Sequence, residues 1–422
     1  MKFSYAKSGI DHDKLCDTAN GLRDYREELL SLVEKGGYNK NESSINLVSD
    51  EDLIDQVTSI KNFLYTPKLK YIFLVGIGGS NLGVKAVYEA LLKYKNHCQI
   101  IFVDTIEPDF VDSIGSLASP LEKEEFAVVI ASKSGNTMES VVNADVLEAI
   151  LGEKMIDRTV VVTNAGSSLA KYADLKAYKS LHIPEKVGGR FSVFSAVGLL
   201  PLALCGMDIE GLVSGARDMR SRCLLPSVEE NPALASASVL FLANSGGINI
   251  HDTFLFYPAL ESLGKWYRQL LAESIGKIKS NEERIGITPT VSIGTNDLHS
   301  VAQLYIAGPR DKITTFVYTP AKNIGAVVSK NAIAKNILPF ISGKTLKEIF
   351  ESIYIAVKDT YFAQKMPFME IDFLELNIKE IGAFMQFKML EVMYLGKLFG
   401  VNTFDQPEVE IYKEKTRQLL SK

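Results

Sequence analysis

Phe126-Ala127-Val128-Val129-Ile130-Ala131 runs directly into Ser132-Lys133-Ser134-Gly135-Asn136-Thr137, and an amphipathic helical pattern follows. An apolar run without polar alternation reads as a strand covered on both faces, the mark of a parallel sheet. The loop after it places three hydroxyls, a lysine and free backbone N–H groups at the positive end of a helix. A compact dianion such as a phosphate ester is stabilised there. Lys133 precedes the glycine and the spacing is short, so this is not the G-x-x-x-x-G-K-[ST] nucleotide loop. The competing use of Ser132, Ser134 and Thr137 is helix capping, which draws on the same amides.

Comparable runs surround this one. Tyr71–Val75, Gln99–Val103 and Thr159–Thr163 also read as buried strands, and helical spacing separates them, as in Val84, Val87, Tyr88 and Leu91. A second series opens at Asn231-Pro232, an N-cap followed by a first-turn proline. Its strand candidates are Thr253–Tyr257, Pro289–Ile293 and Ile313–Tyr318, with a joining helix over Gly206–Arg220 and a break at Leu225-Pro226. Strands alternating with helices predict an α/β chain with two doubly wound parallel sheets. The expected division is an N-terminal helical arm at 1–45, a first domain at 46–210, a second at 211–400 and a C-terminal helical tail at 401–422.

Length and composition agree with this reading. A chain of 422 residues exceeds one ordinary core, and 46% hydrophobic with 23% charged residues predicts a sizeable one. A formal net charge of -5 gives no reason to expect nucleic acid or an anionic membrane as a partner. No apolar run approaches the roughly 20 residues of a bilayer span. Lys2, Lys7, Asp11 and Asp13 interrupt the start, which is unlike a secretory signal. Four scattered cysteines, with no C-x-x-C pair, predict free thiols in a reducing cytoplasm. Five histidines without metal-ligand spacing predict no metal site.

Several further segments carry chemistry. Val75-Gly76-Ile77-Gly78-Gly79-Ser80-Asn81-Leu82-Gly83 is a glycine-rich strand-to-helix turn. It competes with a dinucleotide fingerprint, but Asn81 takes the place of the third glycine and Asp104 is only a loose ribose-binding candidate. In Val187-Gly188-Gly189-Arg190-Phe191-Ser192, paired glycines leave room beside a guanidinium that can steady a developing oxyanion. Glu273 sits near the end of a helix that stops at Gly276, among small and apolar neighbours. A partly buried carboxylate there can work as a general base, although a helical glutamate is usually solvated. His299 follows a strand, where α/β sites usually form. Lys413 has no feature that separates it from a surface lysine.

Together these segments resemble the phosphoglucose isomerase family. The matching stretches are GIGGS at 76–80, SKSGNT at 132–137 with Glu139, VGGRFSVFSAVGLLPL at 187–202, ESIGK at 273–277, GTNDLH at 294–299 and NTFDQPEVEIYK at 402–413. They keep the family's order from about residue 70 to the tail. The resemblance implies two sugar-isomerase domains and a cytoplasmic homodimer with active sites shared between subunits. It further implies interconversion of glucose 6-phosphate and fructose 6-phosphate without a cofactor. By motif, Ser80, Ser132, Lys133, Ser134 and Thr137 would hold the phosphate, with Gly79 and Gly189 bordering the substrate. Arg190 would stabilise a cis-enediolate and Glu273 would carry the proton between C1 and C2. His299, from the partner subunit and supported by Glu139, would open the ring with Lys413, and Gln406 would contact the sugar.

Asn136 and Met138 stand where the family commonly has threonines, and the chain is short for the family. Three other functions compete: a mannose-phosphate or bifunctional isomerase, a non-catalytic sugar-phosphate regulator, and a dinucleotide-binding oxidoreductase.

Overall fold

A computed structural model describes residues 1–91, 98–331 and 333–422. Its strands are β1 Lys2–Ser4, β2 Tyr71–Val75, β3 Gln99–Val103, β4 Phe126–Ala131, β5 Thr159–Thr163 and β6 Lys179–His182. They continue with β7 Ile250–Leu255, β8 Lys277–Ile278, β9 Arg284–Ile285, β10 Thr288–Ile293, β11 Lys312–Tyr318 and β12 Phe368–Asp372. One five-stranded sheet has the order β3-β2-β4-β5-β6, and every pairing in it is parallel. All six residues of β4 are buried, as its unbroken apolar run requires.

The second sheet has the order β1-β12-β11-β7-β10. Its β10, β7, β11 and β12 are mutually parallel and repeat the winding of the first sheet, while β1 closes the edge antiparallel to β12. The N-terminal stretch therefore supplies a strand before its helices His12–Asn20 and Arg23–Lys35. In each sheet the chain reverses its winding direction between two central strands, β2 and β4 in the first, β7 and β11 in the second. Loops leaving the C-terminal ends of such strands open a crevice.

Helix Ile378–Phe399 is buried along nearly its whole length and packs on helices Ile209–Arg222 and Pro232–Ser245. Backbones meet closely at this crossing: a Cβ on Gly215 would stand 2.1 Å from the Lys379 carbonyl oxygen. Asn231 caps helix Pro232–Ser245 by accepting from the Leu234 N–H at 2.9 Å, the role its sequence predicts. The core is continuous from the N-terminal helices to the long C-terminal helix. Among the described residues no helix is long and apolar enough to cross a membrane.

Candidate active site

The two loops singled out by sequence leave the strands that flank the first reversal point. Gly76–Ser80 follows β2 and Ser132–Thr137 follows β4. At the second loop, Ser132 Oγ and Thr137 Oγ1 are 3.1 Å apart. Thr137 occupies the N-cap of helix Met138–Leu151, yet its side chain makes no capping bond. Capping therefore leaves the first-turn amides unclaimed, and they stay open to an anion. Lys133 is half-buried and forms no ion pair among the described residues. Burial holds its ammonium below the usual lysine range, with Lys186 and Arg190 adding to that and Glu185 opposing.

The first loop touches the Arg190 segment through backbone alone. A Cβ on Gly79 would stand 2.2 Å from the Gly189 carbonyl carbon and 2.5 Å from the Arg190 nitrogen. Only glycine allows that approach, which ties the end of β2 to the turn Gly189–Phe191.

Arg190 is the hub. Its Nε donates to Ser274 Oγ at 2.9 Å, and Nη1 donates to Glu273 Oε2 at 3.1 Å and to Gln406 Oε1 at 2.7 Å. Its Nη2 donates to the carbonyls of Thr403 and Asp405 at 2.5 and 3.1 Å. Burial lowers its pKa from the ordinary arginine value, and Glu273 and Asp405 oppose that shift. The other oxygen of Glu273 accepts from Gln269 Nε2 at 2.9 Å, while Gln269 Oε1 is buried without a partner among the described residues. Lys277 bonds to the Asp405 carbonyl and pairs with its carboxylate at 2.9 Å, fixing the segment that caps the guanidinium.

Deeper polar contacts pin the helix Glu261–Ile275 that carries Glu273. Tyr267 donates to Glu391 Oε1 at 2.5 Å, and Lys388 pairs with Glu391 Oε2 at 2.7 Å, both members of that pair being fully buried. His251 contacts Tyr267 at 3.3 Å and Thr315 at 2.8 Å. Burial and then Lys388 keep His251 well below the usual histidine range, so it stays neutral.

Arg190, Glu273 and Gln406 thus meet in one cluster, Gly79 meets Gly189, and Ser132 meets Thr137. Ser80 lies half-buried in the turn Gly78–Ser80, and Ser134 is exposed in its loop. Three predicted residues stand apart. His299 is exposed on helix Gly294–Ser300 and bonds to no described residue. Glu139, half-buried on the first turn of its helix, likewise has no hydrogen bond within the described chain. Lys413 pairs with Glu410 at 2.7 Å on helix Glu410–Leu420.

Gln269, Ser274, Thr403 and Asp405 escape a reading of the sequence. Gln269 stands one helical turn before Glu273, a spacing that could have found it. The Thr403 and Asp405 contacts are backbone carbonyls and leave no side-chain signature. Asp104, the loose ribose-binding candidate, is instead held by Asn81 at 2.6 Å, which counts against a dinucleotide site.

A family profile described as phosphoglucose isomerase matches residues 42–422. The glucose-6-phosphate isomerase of Methanocaldococcus jannaschii is 32% identical, the alignment covering 87% of this chain and 87% of that protein. A glucose-6-phosphate isomerase of Thermus thermophilus is also 32% identical, over 84% of this chain and 85% of that one. Among solved structures, a hypothetical protein from Thermus thermophilus superposes with a TM-score of 0.89 at 29% identity, covering 100% of both chains. A glucose-6-phosphate isomerase from Chlamydia trachomatis has the same fold, with a TM-score of 0.84 at 24% identity over 99% of this chain and 88% of that one. On the strength of the profile match and of relatives that align along most of its length, the chain belongs to the phosphoglucose isomerase family.

Proposed function

We propose that the protein interconverts glucose 6-phosphate and fructose 6-phosphate, a step of glycolysis and gluconeogenesis, in the cytoplasm. The observation that carries this reading is the Arg190–Glu273 pair beside two hydroxyl-bearing loops at the reversal point of the first sheet. Moving hydrogen between adjacent carbons needs one base that can take a proton from one carbon and return it to the other. It also needs a fixed cation near the oxygens as charge develops.

The phosphate settles on Ser80, Ser132, Lys133, Ser134 and Thr137, where its charge offsets the burial of Lys133. After the ring opens, Glu273 takes the proton from C2 of the aldose and leaves a cis-enediolate. It returns that proton to C1 while the hydroxyl proton shifts from O2 to O1, giving the ketose. Arg190 steadies the intermediate. Gln269 holds Glu273 in line. Positioned acid–base catalysis contributes about 10²–10⁴-fold, and phosphate binding energy aids positioning.

His299, Glu139 and Lys413 act in ring opening once a second copy is present, with His299 crossing from the partner subunit. The exposure of His299 supports this reading, as do the uncovered apolar side chains Ile333, Phe340, Ile411 and Leu420. A coupled assay of fructose 6-phosphate conversion to glucose 6-phosphate tests the function. Absence of product at any enzyme concentration, or equal turnover of unphosphorylated fructose, rejects it.

A further inference from the structure

Helix His12–Asn20 presents His12 and Cys16 four residues apart on one face, and Glu229, just before helix Pro232–Ser245, lies against both. His12 Nε2 stands 3.6 Å from Cys16 Sγ and 3.6 Å from Glu229 Oε1. All three donor atoms fall within 4.8 Å of one another. The ring nitrogen is too far from the carboxylate for a normal hydrogen bond. Around tetrahedral zinc, bond lengths near 2.3 Å to sulfur and 2.0–2.2 Å to nitrogen and oxygen imply a sulfur–nitrogen edge of about 3.6 Å and a nitrogen–oxygen edge of about 3.4 Å. The His12–Cys16 and His12–Glu229 pairs already stand at nearly those separations, Cys16 Sγ lies within 4.8 Å of a Glu229 carboxylate oxygen, and Glu229 Oε2 accepts from Ser227 Oγ at 2.6 Å.

Donor type narrows the guest. One imidazole, one thiol and one carboxylate suit a borderline-soft divalent ion, whereas magnesium and calcium take oxygen donors. Burial, then Glu229, Asp13 and Asp17, push the Cys16 thiol pKa up, and the same three carboxylates favour a cation beside the sulfur. Cys98, Cys205 and Cys223 are buried, which leaves Cys16 as the reachable cysteine. Side-chain exposures of 60% for His12 and 58% for Glu229 leave room for water as a fourth ligand.

We infer that His12, Cys16 and Glu229 form a site for a zinc-class divalent cation that fastens the first helix to the segment leading into helix Pro232–Ser245. On binding, the Cys16 S–H bond breaks, a sulfur–metal bond forms and the proton passes to solvent. The site is separate from the isomerase chemistry, because none of its three residues bonds to Arg190, Glu273 or the phosphate loops. Sequence spacing could not reveal it, since the third donor lies far along the chain.

Cobalt(II), added alone to the full chain, is the probe. The expected result is a thiolate-to-cobalt charge-transfer band that saturates at one equivalent and is displaced by zinc. Cys16→Ser abolishes the band. His12→Ala and Glu229→Gln weaken binding about tenfold or more, since changes even outside the ligand shell cost 10–100-fold in affinity. Zinc raises the unfolding midpoint of the unaltered chain but not that of Cys16→Ser. All three side chains lie at the surface, so the variants keep isomerase activity without metal, which verifies their fold. Absence of the band in the unaltered chain, its persistence in Cys16→Ser, or unchanged affinity in His12→Ala overturns the proposal.

Discussion

Arg190 and Glu273 pair at 3.1 Å with very unequal exposure: 1% of the arginine side chain is accessible and 32% of the glutamate. The positive partner is locked inside the protein by five hydrogen bonds while the negative one can still be reached from outside. A preorganised charge next to an accessible base needs little rearrangement during reaction. Different losses follow from removing each partner.

Glu273→Gln keeps the hydrogen-bond geometry toward Gln269 and removes the base. Turnover drops by about 10²–10⁴-fold while sugar-phosphate affinity stays within a few-fold. Steady-state kinetics together with a binding isotherm measure both. Near-normal turnover in this variant would end the base assignment.

Arg190→Lys retains one positive charge but cannot span five acceptors. Breaking a buried charged network of this type costs roughly 3 kcal/mol of stability. Turnover should fall more than KM rises. Limited proteolysis should also cut the 401–422 segment faster, because Thr403, Asp405 and Gln406 lose their anchor. If only KM moves, Arg190 holds the ground state and nothing more.

Lys133→Met separates binding from stability. Burial first, then Lys186 and Arg190, depresses the lysine's pKa. A depressed value means that its contribution to stability is complete above the ordinary value of 10.5 and is lost as pH falls through the lowered one. At neutral pH the buried ammonium therefore destabilises the ligand-free protein. The methionine variant should melt at a higher temperature at pH 7, and the gap should close as pH rises through the lowered value. Added phosphate should stabilise the parent far more than the variant. Equal phosphate stabilisation of both would remove Lys133 from the anion site.

Gly79→Ala forces apart two backbone segments that side-chain motion cannot relieve, since the obstructing atoms belong to Gly189 and Arg190. A loss of about 1–3 kcal/mol is expected from such overpacking, together with a fall in kcat as Arg190 shifts. Thermal unfolding and kinetics on one preparation test it. Wild-type kinetics in Gly79→Ala would show that the contact does not position the guanidinium.

The sequence is most legible where structure is local. The strands Tyr71–Val75, Gln99–Val103 and Thr159–Thr163 fall on their predicted bounds, because unbroken apolar β-branched runs need no distant partner to declare them. β7 begins three residues earlier than its apolar pattern suggests. Its opening residues include His251 and Asp252, polar groups that look unfit for a buried strand. They fit because Thr315 and Tyr267 satisfy the histidine while Thr290, Ser292 and Tyr305 converge on one oxygen of the aspartate, partners that only the fold brings near. β6 and β12 mix charged and apolar residues and escape a pattern reading, as does the very short edge strand β1. At the site, residue types single out Arg190 and Glu273, but not the carbonyls that aim the guanidinium. His299 is marked only by its place after a strand and Lys413 by motif alone, and a single copy of the chain leaves both away from the cluster.

The acceptors Thr403, Asp405 and Gln406 lie beyond every strand and beyond the long buried helix. On a ribosome, therefore, both sheets and the phosphate loops emerge before the guanidinium acquires these last anchors. A premature stop codon just ahead of Thr403 would leave three of the guanidinium's five hydrogen bonds unmade and strip the Phe404 ring from Phe191, so its product should be inert.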